Sequence, residues 1–171
     1  MLDAAIFVVF PLLMAVAAFS DMFSMTIPNR VSILLFVAFL AIAPFAGLAP
    51  VEIGWHVAAG AAVLVVCFGL FALNVMGGGD AKLLAASAVW FGFGIDLLGY
   101  LATVGIYGGL LTLVVLVLRA NQQVFMALPL PIPLHFFNSK KGVPYAIAIG
   151  LAALTCYPDS VLMRAVLGPA G

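Results

Sequence analysis

Two carboxylates stand out in a chain that is 67% hydrophobic and only 7% charged. Asp80 lies in the run Met76-Gly77-Gly78-Gly79-Asp80-Ala81-Lys82, a glycine-rich turn between two apolar stretches, and Asp21 follows the first apolar stretch of the chain. Charged groups at the edge of a membrane are costly unless water or partners solvate them, which makes both aspartates candidates for a functional site. If the two side chains meet, they can share one proton. The ionised member then acts as a general base on water, while the protonated member hydrogen-bonds the carbonyl of a bond to be hydrolysed.

Position suggests how that proton divides. Asp21 falls near a helix C-terminus, where the macrodipole disfavours negative charge, so Asp21 is expected to hold the proton. Asp80 opens the next helix with Lys82 close in sequence, and both features favour its ionised form. Gly77, Gly78 and Gly79 permit backbone angles that other residues avoid and let an extended peptide approach the main chain. Taken singly, each feature has a plainer role. The glycines make a tight turn, Asp80 is a helix N-cap, Asp21 is a solvated loop residue, and Ile27-Pro28-Asn29 opens a helix with Asn29 as its cap.

The elements that must position these residues are membrane spans. A soluble domain carries roughly 25% charged residues, and this composition excludes one. Spans need about 20 mostly apolar residues, and the sequence predicts an all-α, polytopic membrane helix bundle of about six transmembrane helices. These are Ala4 to Ser20, Val31 to Ala49, Ile53 to Val75, Lys82 to Gly94, Leu97 to Leu118 and Val143 to Tyr157. The whole of residues 1–171 is expected to form one integral membrane domain, and Ala4 to Phe19, lacking a basic flank, a retained helix. Pro11 and Pro44 are expected to kink the spans they fall in. Gly105 and Gly109 form a GxxxG that would admit a neighbouring helix.

Charge then orients the bundle. Alternating sides puts Arg30, Lys82, Arg119, Lys140 and Lys141 on one face and Arg164 alone on the other, so the first face is expected to be cytoplasmic, with both termini outside. Asp3, Glu52, Asp96 and Asp159 fall at the outer ends, which leaves Asp21 and Asp80 on the cytoplasmic side. With Lys+Arg 6 against Asp+Glu 6, no basic patch suggests nucleic acid as a partner. Cys67 and Cys156 have no metal-ligand spacing and are expected to be small packing residues, with no metal and no cofactor. His56 beside Trp55 is expected at the outer interface. Between 121 and 138, Pro129, Pro131 and Pro133 alternate with apolar residues, an extended strip that connects spans or docks a substrate segment, and His135 is expected to be a connector residue with no part in the site. Lys82 would tune Asp80 or bind a lipid phosphate.

Asp21, five residues and Ile27-Pro28-Asn29, followed by Gly77-Gly78-Gly79-Asp80-Ala81-Lys82 and later by Val143-Pro144-Tyr145 after Lys141-Gly142, resemble the type IV prepilin peptidases. That family consists of membrane aspartic proteases of the GxGD kind. The resemblance implies a multi-pass enzyme of the bacterial plasma membrane, cutting the short basic leader from prepilins or pseudopilins at the cytoplasmic face. Asp21 and Asp80 match its catalytic pair, and Gly77, Gly78, Gly79, Lys82, Pro28 and Asn29 stand as substrate-binding or supporting residues. Proteolysis in the family uses no metal. Long members carry a cysteine-bearing cytoplasmic segment and N-methylate the product; this chain has neither, and is similar to the short forms serving Flp pili. Met22 to Thr26 depart from the family in lacking basic residues. The oligomeric state is left open.

Two other classes remain. In a small transporter or channel component, Asp21, Asp80 and Lys82 would line a solute path, but transport favours ionisable groups at the bilayer midplane and these sit at span ends. In a non-enzymatic pilus assembly factor, the glycine turn would merely contact a pilin helix.

Overall fold

The computed structural model describes residues 2–123, 137 and 142–167. Seven α-helices make up its described part: α1 Leu2–Ser24, α2 Asn29–Ile42, α3 Pro50–Ala72, α4 Gly78–Ala88, α5 Ile95–Ala120, α6 Tyr145–Cys156 and α7 Val161–Leu167. A short 3-10 turn, Tyr157–Asp159, links the last two. By length and composition four segments can cross a membrane: α1, α3, α5 and the run Tyr145–Val166. The apolar α2 is shorter, at 14 residues, and α4 has 11.

Helix α1 shows how sequence becomes position. Ile6, Phe10, Met14, Ala17 and Asp21 are its buried residues, spaced three or four apart and so on one face. Asp21 is the last member of that stripe. The helix stops where Met25 takes a positive φ of 54° and its N–H bonds the Asp21 carbonyl. Pro28 is the N-cap residue of α2. Pro50 starts α3 at a position where a missing N–H costs nothing, and Glu52 reaches back to accept the Ala49 N–H at 2.7 Å.

Packing is uneven. α1 lies against α6 and α2, α5 against α6, and α4 against α2, α3 and α6, whereas among the described elements α3 packs to any extent only on α4. Gly150 brings α6 onto α1, since a Cβ there would stand 3.3 Å from the Met14 carbonyl oxygen. At the ends of the helices remote from the aspartates, Phe10, Phe39, Trp90 and Tyr157 form a buried aromatic cluster, with Phe10 stacked on Tyr157 at 4.3 Å. Its polar edges are satisfied: Trp90 Nε1 donates to the Leu35 carbonyl and the Tyr157 hydroxyl to the Ile6 carbonyl.

Several expectations need correction. Pro44 lies in the turn after α2, which ends at Ile42, so it terminates the helix instead of kinking it. Pro11 does lie inside a helix. The fourth helix begins at Gly78, ahead of the expected start at Lys82, because the glycines themselves take up its first turn. Among the described residues a Cβ added at Gly105 or Gly109 would meet nothing within 4 Å beyond its own helix; Gly108 is the close-contact glycine, with Tyr145 of α6 against it. His56 is buried, stacked on Phe39, and its Nδ1 donates to the Val89 carbonyl at 2.7 Å. An acceptor on α4's far end draws the ring inward, away from the interface. Cys67 is buried, while Cys156 is only half-buried. The proline-rich strip, His135, Lys140 and Lys141 lie outside the described residues.

Candidate active site

The last turn of α1, the first turn of α4 and the first turn of α6 meet at one end of the bundle. Asp21 is buried there, 6% exposed, and its Oδ2 accepts the Ala146 N–H at 3.0 Å. Ala146 sits in the first turn of α6, whose N-cap residue is Pro144; the Val143-Pro144-Tyr145 run therefore delivers a free helix N-terminus to Asp21. Nothing in the residue types singled out Ala146, because its contribution is a backbone amide. A proline opening a helix was the available signal.

Asp80 is the third residue of α4. From there its carboxylate folds back onto the N–H of Gly77, the return half of a capping box. Gly77 must be glycine for a spatial reason: a Cβ would lie 2.6 Å from Asp80 Oδ2. The other carboxylate oxygen, Oδ1, is buried and has no hydrogen-bond partner among the described residues. Gly78 lies under the Phe71 ring and Gly79 against Ile27, each with little more than van der Waals clearance. The three glycines thus fit the turn tightly between α1, α3 and α4.

Asp21 and Asp80 together form the wall between two clefts. The larger, about 650 Å³, also includes Phe71, Asn74, Val143 and Tyr145. The smaller, about 340 Å³, runs past Ile27, Asn29, Gly77–Gly79 and Lys82. Met25, held at its positive φ, faces both.

Asp80 lies outside the four long spans. Burial pushes its carboxyl up to about 7, the charge of Asp21 adds to the push, and the Gly77 N–H opposes it. This is opposite to the expectation that Asp80 favours its ionised form. Loss of solvent outweighs the helix N-terminus at Asp80, and Lys82 Nζ is directed to Asn29, donating to its Oδ1 at 3.1 Å. Asn29 is accordingly no cap: it is the first residue of α2, and α2 has no side-chain cap bond. Pro28 sits one residue earlier and fixes the turn between Asp21 and α2.

A membrane helix bundle with two carboxyls on one cleft, one of them holding a proton near neutrality, has the parts of a hydrolytic site. The chain belongs to the type IV leader peptidase family, whose family model matches residues 8–117. That region contains both Asp21 and Asp80 and ends before the start of α6. No curated protein and no solved structure matches the chain. Membership makes it a membrane-embedded peptidase acting on a protein substrate.

Proposed function

We propose that the protein is an aspartic endopeptidase that removes the leader peptide from type IV prepilin or pseudopilin substrates of the Flp-like kind, at the cytoplasmic face of a bacterial plasma membrane. The observation that carries this reading is the buried, unpartnered Oδ1 of Asp80 in a cleft shared with Asp21. A buried polar atom without a partner is costly, and a water or a substrate carbonyl would satisfy it.

In this mechanism Asp21 takes a proton from water and the resulting hydroxide attacks the scissile carbonyl carbon, while protonated Asp80 gives its proton to the carbonyl oxygen. Asp21 then passes its proton to the departing amide nitrogen, the C–N bond breaks, and the diol returns a proton to Asp80. The step needs no metal. Gly77, Gly78 and Gly79 line the smaller cleft, where an extended peptide would lie beside them, and Asn29 and Lys82 stand there as supporting residues. The transporter alternative is disfavoured by position, since transport favours ionisable groups near the bilayer midplane and Asp80 lies outside the four long spans.

Candidate prepilins would be incubated with membranes containing wild type, Asp21→Asn or Asp80→Asn, each matched for abundance. Each substitution is expected to lower processing by ~10³-fold or more, in the range seen when one member of a catalytic set is removed. Near-wild-type cleavage by either variant would rule the paired mechanism out.

A further inference from the structure

Among the described elements α3 packs to any extent only on α4, and an apolar groove lies on each side of it. One groove, about 590 Å³, lies between α2 and α3 and includes Ile33, Ala61 and Leu64, with Ala85 and Ala86 of α4 between them. The other, about 510 Å³, lies between α3 and α5 and includes Ala62 and Leu98. They differ in what they lead to. The first ends at Asn29 and Lys82, and these same two residues line the smaller cleft beside Asp21 and Asp80. The second reaches the aspartate clefts only through Met76.

We propose that the groove between α2 and α3 seats the apolar helix of the substrate while the bond to be cut lies against Asp21 and Asp80. The inference rests on the peptidase reading above. A substrate whose scissile bond adjoins an apolar helix keeps that helix in the bilayer during cleavage, because withdrawing about 20 apolar residues into water is prohibitive. It must therefore reach the carboxyls sideways, through a surface open to lipid and continuous with them. Alanines on α4 let a helix backbone come close. At the mouth, the substrate must leave helical form to expose one peptide bond, and carbonyls freed from a helix in lipid require donors. The Nδ2 group of Asn29 and the remaining N–H groups of Lys82 are donors at that point; their mutual bond occupies only Asn29 Oδ1.

Ala61 and Ala62 provide a matched test, since both are exposed neighbours on α3 yet face opposite grooves. A full-length prepilin, with leader and apolar helix intact, would be reconstituted with each protein in vesicles of phosphatidylethanolamine and phosphatidylglycerol. Ala61→Trp is expected to lower kcat/KM by about tenfold or more, the scale of a misplaced substrate, and Ala62→Trp to leave it within about twofold. Photocrosslinking covers the case of a variant that does not fold. Benzoylphenylalanine at the exposed position of Ile33 is expected to capture the substrate helix, and at the exposed Leu98 to miss it. Equal effects of the two tryptophans, loss only with Ala62→Trp, or capture at 98 instead of 33 would overturn the proposal. Capture at neither position, with both tryptophans silent, would mean that the groove holds lipid only. Capture at 33 without cleavage by wild type would instead sink the proteolytic reading and leave the seat standing.

Discussion

Asp80 is held where its charge is unwelcome, and this has a consequence for stability that is separate from catalysis. Its carboxyl in the folded protein titrates at about 7 against an ordinary value of 3.8. Between those values the folded state binds more protons than the unfolded state, so stability falls as pH rises through the window and levels off above it. Asp80→Asn removes that dependence. The melting temperature of wild type in detergent should drop from pH 5 to pH 8, while that of Asp80→Asn should change less and lie above wild type at pH 8. A variant melting well below wild type at pH 8 would show that the carboxylate is stabilising. At this scale much was legible in the sequence. Asp21 continues the three- and four-residue spacing of Ile6, Phe10, Met14 and Ala17, and the glycine run marks the turn at Asp80. The raised titration of Asp80 was not, because it depends first on how deeply the fold buries the opening turn of α4.

Small residues decide how the elements meet, though not the ones a motif would select. A Cβ on Gly60 would stand 2.3 Å from Val89 Cγ2 and 2.9 Å from the Ala85 carbonyl oxygen, and α4 is the element on which α3 depends. Gly60→Ala should therefore destabilise the protein by ~1–3 kcal/mol, as overpacking does. Gly105→Ala and Gly109→Ala, with open space around them, should stay within ~0.5 kcal/mol. Thermal melting of the three variants side by side checks both statements, and an unchanged melt for Gly60→Ala would refute the first. The length of the apolar stretches located the long helices α1, α3 and α5. It did not reveal which face of α5 meets α6, since Gly105, Gly108 and Gly109 are equivalent in composition and only Tyr145, arriving from α6, distinguishes them. Nor did it show that Pro44 follows the helix, because the apolar residues run on through the turn that ends at Gly47.

Across the whole molecule, the ends of the helices sort into two chemically different faces. Asp21, Lys82 and Arg119 gather at one, while Asp96 and Arg164 pair at the other. If the first face is cytoplasmic, a cysteine in place of exposed Val75 should react with a membrane-impermeant maleimide only from the cytoplasm, and one in place of exposed Phe45 only from outside. The opposite labelling would invert the orientation. The loop charges made this polarity readable, whereas the aromatic cluster was not, as Phe10, Phe39, Trp90 and Tyr157 are scattered over the sequence and become neighbours only when α1, α2, α4 and α6 assemble. That cluster also bears on the cell's energy supply. Water wetting the two aspartates from one side meets packed rings, with their N–H and O–H already engaged, before it reaches the other. Packed rings of this kind oppose a proton-relaying file of water, which favours a water-consuming site that does not discharge the gradient across its membrane.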